Sequence, residues 1–313
     1  MEKVEGDMFY IRGIAYTGAV GSKFSDDHSK YTVSRMKKRT GCDTIEIVLG
    51  AFQDKYNSTS IQYQHAYAVP DDEFIKMAEY FKSLHLKLIL KPVINCMDGT
   101  PRSLIGPNGV DIDQFWTEWF QSYTEYLLHV ASLAEEVGCD MIVIGAELVG
   151  SEGEVDLWKQ LIQKVRSIYK GLITYSAESY YEDHITWWND VDVISSSGYY
   201  GIDSIEAQFE KIKKLTALYK KPFFFSEVGC KSCKGASLSP NEWCMHNEVS
   251  LEEQAHYFET FLNLCKAADY IQGLVIWNWP YRLYPQEMAM LDKSYAIYGK
   301  PACDILKNTW EVN

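Results

Sequence analysis

The chain is short of positive charge, has no nucleotide-binding loop and contains no apolar run of membrane-spanning length. Its 43 acidic residues outnumber 30 basic ones across 313 positions, a formal net charge of −13. That balance argues against a nucleic-acid partner, because phosphate binding needs a basic face. It also disfavours polyanionic substrates, while a neutral glycan stays compatible. No Gly-x-Gly-x-x-Gly, Walker loop, Gly-x-Ser-x-Gly or His-Glu-x-x-His occurs, and the seven histidines are scattered; dinucleotide, nucleoside triphosphate, serine-hydrolase and zinc-protease chemistry lose their signatures. Met1–Asp7 has no apolar core of a signal peptide, so a cytoplasmic protein without a membrane partner is expected. No Pro/Gly/Ser-rich linker or low-complexity stretch divides the chain, which predicts one domain over residues 1–313.

Cysteine is present but not arranged as a disulfide framework. Cys42, Cys139 and Cys265 sit inside apolar runs, where a reduced thiol behaves as a small hydrophobe. Cys230, Cys233, Cys244 and His246 share one loop, yet the second pair is spaced more tightly than in the common zinc modules. The expectation is reduced loop cysteines, with no metal and no cofactor.

What the chain does have is alternation. Apolar, β-rich runs fall near 10–16, 43–49, 86–93, 140–146, 172–177, 191–198, 222–226 and 271–277. Amphipathic segments at 71–84, 111–137, 153–169, 204–220 and 250–268 lie between them, with apolar residues at i, i+3 and i+4. Gly-Cys-Asp recurs at 41–43 and 138–140 just before a strand, as a glycine-capped helix end would place it. Eight strands separated by helices predict an α/β fold, a (β/α)8 TIM barrel. The long segments 50–70, 94–110, 228–249 and 278–296 all follow strands, so they gather on the face where such barrels keep their active sites.

Two glutamates close two of these strands: Glu147 ends Met-Ile-Val-Ile-Gly-Ala-Glu, and Glu227 ends Phe-Phe-Phe-Ser-Glu. A carboxylate at the end of a buried strand is costly without a partner or a task. On the fourth and seventh strands the pair sits across the barrel mouth, as glycoside hydrolysis with two carboxylates requires. Tyr16, Tyr199, Tyr200, Trp277 and Trp279 close the first, sixth and eighth strands, where aromatic faces could stack on sugar rings. Trp187 and Trp188 precede the sixth strand and are expected to pack. Lys91 and Arg102 flank the third strand's loop, placed either to bind sugar hydroxyls or to hold a glutamate ionised.

Along the chain stand Leu-Lys-Pro at 90–92, Asp-Gly-Thr-Pro-Arg at 98–102, Ile-Gly-Ala-Glu-Leu at 144–148 and Leu-Ile-Thr-Tyr-Ser-Ala at 172–177. Ser-Glu-Val-Gly-Cys-Lys-Ser at 226–232 and Gly-Ala-Ser at 235–237 complete the set. Together these segments resemble glycoside hydrolase family 113, a family of β-mannanases within the clan of (β/α)8 retaining glycosidases. The resemblance implies a retaining mechanism with Glu147 as acid/base, Glu227 as nucleophile and no catalytic metal. It also implies a β-linked, β-1,4-mannosidic oligosaccharide as substrate. Three positions depart from the pattern: Ala146 stands where many clan members have Asn, Pro101 where the family usually has Trp, and Glu178 where it tends to have Asn. All three touch expected sugar contacts, so Glu178 joins the candidate binding residues. A sugar-binding barrel without turnover, or a transglycosylase using the same glutamates, is the alternative.

Overall fold

The computed structural model describes residues 11–17 and 24–311. Tyr10, expected to open the first strand, and the Met1–Asp7 segment lie outside the described residues. Eight parallel strands close into a barrel in chain order. They are β1 (Ile11–Thr17), β2 (Thr44–Gln53), β3 (Lys87–Cys96), β4 (Met141–Ala146), β5 (Leu172–Ala177), β6 (Val193–Ser197), β7 (Phe223–Val228) and β8 (Ile271–Trp279). Helices α1 (Asp27–Thr40), α2 (Asp71–Ser83), α3 (Ile112–Val137), α4 (Val155–Ile168), α5 (Ile205–Tyr219), α6 (Leu251–Ala267) and α7 (Pro301–Glu311) complete it. No helix among the described residues is long and apolar enough to cross a membrane.

All eight expected strands are present. β2 and β3 run three to four residues past their expected ends because they stay paired in register to Gln53 and Cys96. Helices α2 to α6 match the five amphipathic segments. Helix α1 escaped the periodicity because its buried side is half polar: Ser29, Thr32 and Thr40 sit there with Val33 and Met36. Helix α7, which buries Leu306 and Trp310, was also absent from those segments.

The Gly-Cys-Asp repeat has one structural meaning at both places. Gly41 and Gly138 cap α1 and α3 in the left-handed conformation, at φ 72° and 66°. The aspartate two residues later accepts from the first amides of a neighbouring strand: Asp43 from Arg12 at 3.1 Å, Asp140 from Leu88 at 2.8 Å. Each motif therefore ends a helix and sets the start of a strand pair.

Alternate strand residues face opposite ways. Ile11, Ala15, Ile89, Met141, Val143, Val193, Phe224 and Val275 form a small apolar cluster supplied only by strands, the barrel interior. Their neighbours, such as Ile14, Leu90, Ile144 and Phe225, join the larger core between sheet and helices. Two residues further along several strands the interior turns polar, with Lys91 above Ile89, Ser195 above Val193 and Ser226 above Phe224. Across it, the Ser176 and Ser226 hydroxyls meet at 2.5 Å. This polar layer carries the site.

The barrel closes where β1 meets β8. Behind that seam Arg12 donates to the Trp310 carbonyl at 3.0 Å and pairs with Asp43 at 3.2 Å, so α7 clasps the first strand. Gly273 lies on the seam with φ 135°, and a Cβ there would stand 2.1 Å from the Ile11 carbonyl oxygen. Gly273→Ala is expected to destabilise the fold by at least about 2 kcal/mol, combining backbone strain with a clash against main chain. Urea unfolding checks this; an unchanged midpoint would mean the seam has slack.

Candidate active site

Glu147 follows the last residue of β4 and holds a left-handed backbone, φ 56°. Such a conformation costs a non-glycine residue about 1–3 kcal/mol and persists only where its surroundings impose it. Here the Glu147 amide donates to the Ser176 carbonyl at 2.9 Å, and the next amide, of Leu148, donates to the Tyr175 hydroxyl at 2.9 Å. Gly145 contributes too, since a side chain there would crowd the Tyr175 and Trp158 rings. On β7 a register irregularity after Phe225 places Glu227 opposite Ser197.

The two carboxyls have opposite surroundings. Glu227 accepts from Lys91 at 2.5 Å on one oxygen and from the Tyr199 hydroxyl at 2.7 Å on the other. Donors on both oxygens suit an acceptor-only anion. Glu147 has its pKa raised, first by burial and then by the negative charge of Glu227; Arg102, Ser197 and Lys91 pull it partly back. Lys91 is fully buried and also pairs with Glu46 at 3.4 Å. Burial pushes the Glu46 carboxyl up to about 8, with Lys91 opposing and Glu227 adding to the rise.

A cavity of about 550 Å3 opens above Glu147, walled by Arg102, Glu178, Tyr199, Asn95 and Trp243. A second, of about 560 Å3, shares Trp243 with it and is lined by Trp277, Tyr281 and Tyr295. Both are of ligand-binding size. Partial burial and the Glu147 charge push Glu178 up to about 7. Arg102 donates to the Asn95 side chain at 3.2 Å and acts electrostatically on Glu147.

Of the expected contact residues, Arg102, Glu178 and Tyr199 line the first cavity and Trp277 the second. Four others are placed elsewhere. Lys91 lies beneath the mouth with no exposed surface, so of its two expected roles only the contact to a glutamate remains open to it. Tyr16 points outward from β1 onto Phe24 and Phe81. Tyr200 donates to the buried Glu182 and packs edge-on against Phe225. Trp279 lies in the outer core against Tyr298. For Tyr16 and Tyr200 the reason is parity, one position out of phase turning the ring away from the pocket; Trp279, two residues after Trp277, is turned by the register irregularity of β8 after Ile276. Trp187 and Trp188 are buried, in line with the packing expected of them.

Two participants had gone unnoticed. Glu46 is an acidic residue inside an apolar strand, a signal equal to that of Glu147 but lying mid-strand rather than at its end. Trp243 is 54% exposed, stands in the long segment after β7 and faces Tyr295 at 4.5 Å between ring centres. Lys231 donates to its carbonyl at 3.1 Å, fixing that segment over the mouth. Cys230 and Cys233 are buried while Cys244 is exposed. Among the described residues no group of three or more His, Cys, Asp or Glu is placed to hold a metal ion.

The sequence profile of Glycoside Hydrolase Family 113 matches residues 14–300. Among solved structures, a complex of a family 113 β-1,4-mannanase is 37% identical, with 97% of this chain and 99% of that one covered and a TM-score of 0.94. The β-mannanase AaManA from Alicyclobacillus acidocaldarius, in complex with ManMIm, is 34% identical over 96% of this chain and 97% of its own, with a TM-score of 0.89. No curated protein matches the sequence.

The buried carboxyls make stability depend on pH in a defined direction. Glu46, Glu152 and Glu178 have folded pKa values of about 8, 7 and 7, above the unfolded 4.5. In that window the folded chain binds more protons than the unfolded one, so their stabilisation is full below 4.5 and is lost as pH rises through the folded values. The melting temperature is expected to fall between about pH 5 and about pH 8, and to fall less in Glu46→Gln. Thermal denaturation across that range checks it; a flat or rising profile contradicts the raised values.

Proposed function

The chain belongs to glycoside hydrolase family 113, and from that premise we propose that it cleaves internal β-1,4-mannosidic bonds of oligosaccharides with retention, through Glu147 and Glu227. It is an O-glycoside hydrolase of the β-mannanase kind. The single observation supporting the mechanism is the contrast between the two carboxyls. Glu227 is met by a cation and a hydroxyl donor, while burial and the charge of Glu227 raise the pKa of Glu147.

In the first step Glu227 attacks the anomeric carbon as Glu147 protonates the departing oxygen, leaving a glycosyl ester on Glu227. Ester formation removes the negative charge that helped raise the Glu147 pKa. Glu147 then holds its proton less tightly and serves as base toward the incoming water. The change of role needs no movement of either residue. Tyr199 keeps its hydroxyl on the Glu227 oxygen that Lys91 does not hold, and Arg102 and Glu178 face the sugar from the cavity wall. Two cavities that share Trp243 in their walls offer room for sugars on both sides of the cleaved bond.

Incubation with manno-, gluco- and xylo-oligosaccharides, read by mass spectrometry, is expected to give shorter products from the manno series. Glu227→Ala should lower turnover by at least about a thousandfold. Glu147→Gln should slow oligosaccharide cleavage by about 10²–10⁴-fold yet spare a dinitrophenyl mannoside in its first step, since that leaving group needs no proton. Full activity in Glu227→Ala would remove it as nucleophile. Cleavage confined to another sugar series would remove mannose as the substrate.

A further inference from the structure

Glu46 is a carboxyl of the barrel interior without a task in the mechanism above. Its side chain is fully buried, and Lys91 is its ion-pair partner among the described residues, at 3.4 Å. Its register neighbours on β1 and β3 are Ala15 and Ile89, both members of the apolar cluster. Lys91 thus stands between two carboxyls, with Glu227 at 2.5 Å and Glu46 at 3.4 Å; Lys91 and Glu46 have no exposed side-chain surface, and Glu227 keeps a small exposed edge.

We propose that Glu46 and Glu227 exchange the role of counterion to Lys91 during each turnover: Glu46 is neutral while Glu227 is a free carboxylate, and ionised while Glu227 is esterified. The idea rests on the double-displacement reading. Its physical ground is that one buried cation is balanced by one buried anion. Two anions on Lys91 would leave a net negative charge in the barrel, and the charge of Glu227 is among the causes that keep Glu46 protonated. When Glu227 bonds to the anomeric carbon it loses its charge; Glu147, ionised in the same step, acts on Lys91 only from beyond ion-pair distance, so the cation is left with no carboxylate in contact. Glu46 is the carboxyl in position to supply one. The charged groups acting on Lys91 are Glu227 from β7, Glu46 from β2 and, at longer range, Glu147 after β4.

The step balances as follows. A Glu227 oxygen forms the bond to the anomeric carbon as the bond to the leaving oxygen breaks, and that oxygen takes the proton of Glu147. Glu46 releases its own proton to solvent and takes one back when water frees Glu227. Glu46 therefore acts through Lys91 as a positioning residue and never touches the sugar.

The test uses 2,4-dinitrophenyl 2-deoxy-2-fluoro-β-mannoside, which leaves as a phenolate and traps the ester. Glu147→Gln protein removes the acid/base proton from the count. In weakly buffered solution at neutral pH with an indicator dye, one proton is expected to be released per adduct seen by mass spectrometry. The Glu147→Gln/Glu46→Gln protein should release none. Equal release from both would assign the proton to Lys91 or another group and overturn the exchange, as would no release from either. If the double variant does not fold, the infrared difference spectrum of trapped minus free Glu147→Gln protein decides. Loss of a protonated-carboxyl band supports the exchange, and its persistence overturns it. Absence of any adduct in wild type would overturn the double-displacement reading and the exchange with it, whereas an adduct with the wrong proton count overturns the exchange alone.

Discussion

The ammonium of Lys91 is the pivot of the molecule. It has no exposed surface and lies above the apolar cluster of the barrel interior, and its charge is tolerable there only because carboxyls arrive from β2 and β7. A cation in that position obliges the barrel to close in one register, since a slip of one residue on either partner strand would turn its carboxyl outward. The serines of β5, β6 and β7 fill the rest of the layer with hydroxyls that bond to one another and to main-chain carbonyls. Removing one partner of such a buried pair usually costs about 3–5 kcal/mol, because the other is left as an uncompensated charge. The site and the stability of the strand arrangement are consequences of the same contact.

The different characters of the two site glutamates follow from which strand supplies their neighbours. Glu227 stands where β3 and β6 deliver a cation and a phenol. Glu147 stands on a strained turn whose two amides are bound by β5, and its carboxyl is left among weaker partners and a like charge. Identical side chains are thereby made unlike by backbone position alone. The strain at Glu147 is local, but the hydrogen bonds that sustain it come from a neighbouring strand, so the geometry of the site is a property of the closed barrel.

Much of this was legible in the residues themselves. Strand count, order and the two strand-end glutamates followed from apolar runs broken by helical periodicity, because a parallel strand buried on both faces cannot hide its composition. Helix α1 was not legible, since serine and threonine can fill an inward face wherever hydroxyls find carbonyls, as Thr40 does on Met36. Among the aromatics, Tyr16, Tyr200 and Trp279 looked like binding residues because proximity to a strand end is visible in sequence while facing direction is not. One residue of phase, shifted by irregular pairing between β1 and β8, decides whether a ring meets ligand or core. Lys91 was legible as unusual and ambiguous in role. What settles its placement is a carboxyl 136 positions away, a separation at which spacing carries no information.

The clasp between Arg12 and α7 bears on how such a chain is made. Among the described strands β1, the first in chain order, is the partner of β8, the last, and α7 covers their junction. Until β8 docks, β1 has one edge paired to β2 and the other bare, an open template for any extended segment nearby. The pairing that closes the barrel therefore joins the two strands farthest apart in chain order, and the barrel still open at this seam is the state most exposed to misassociation.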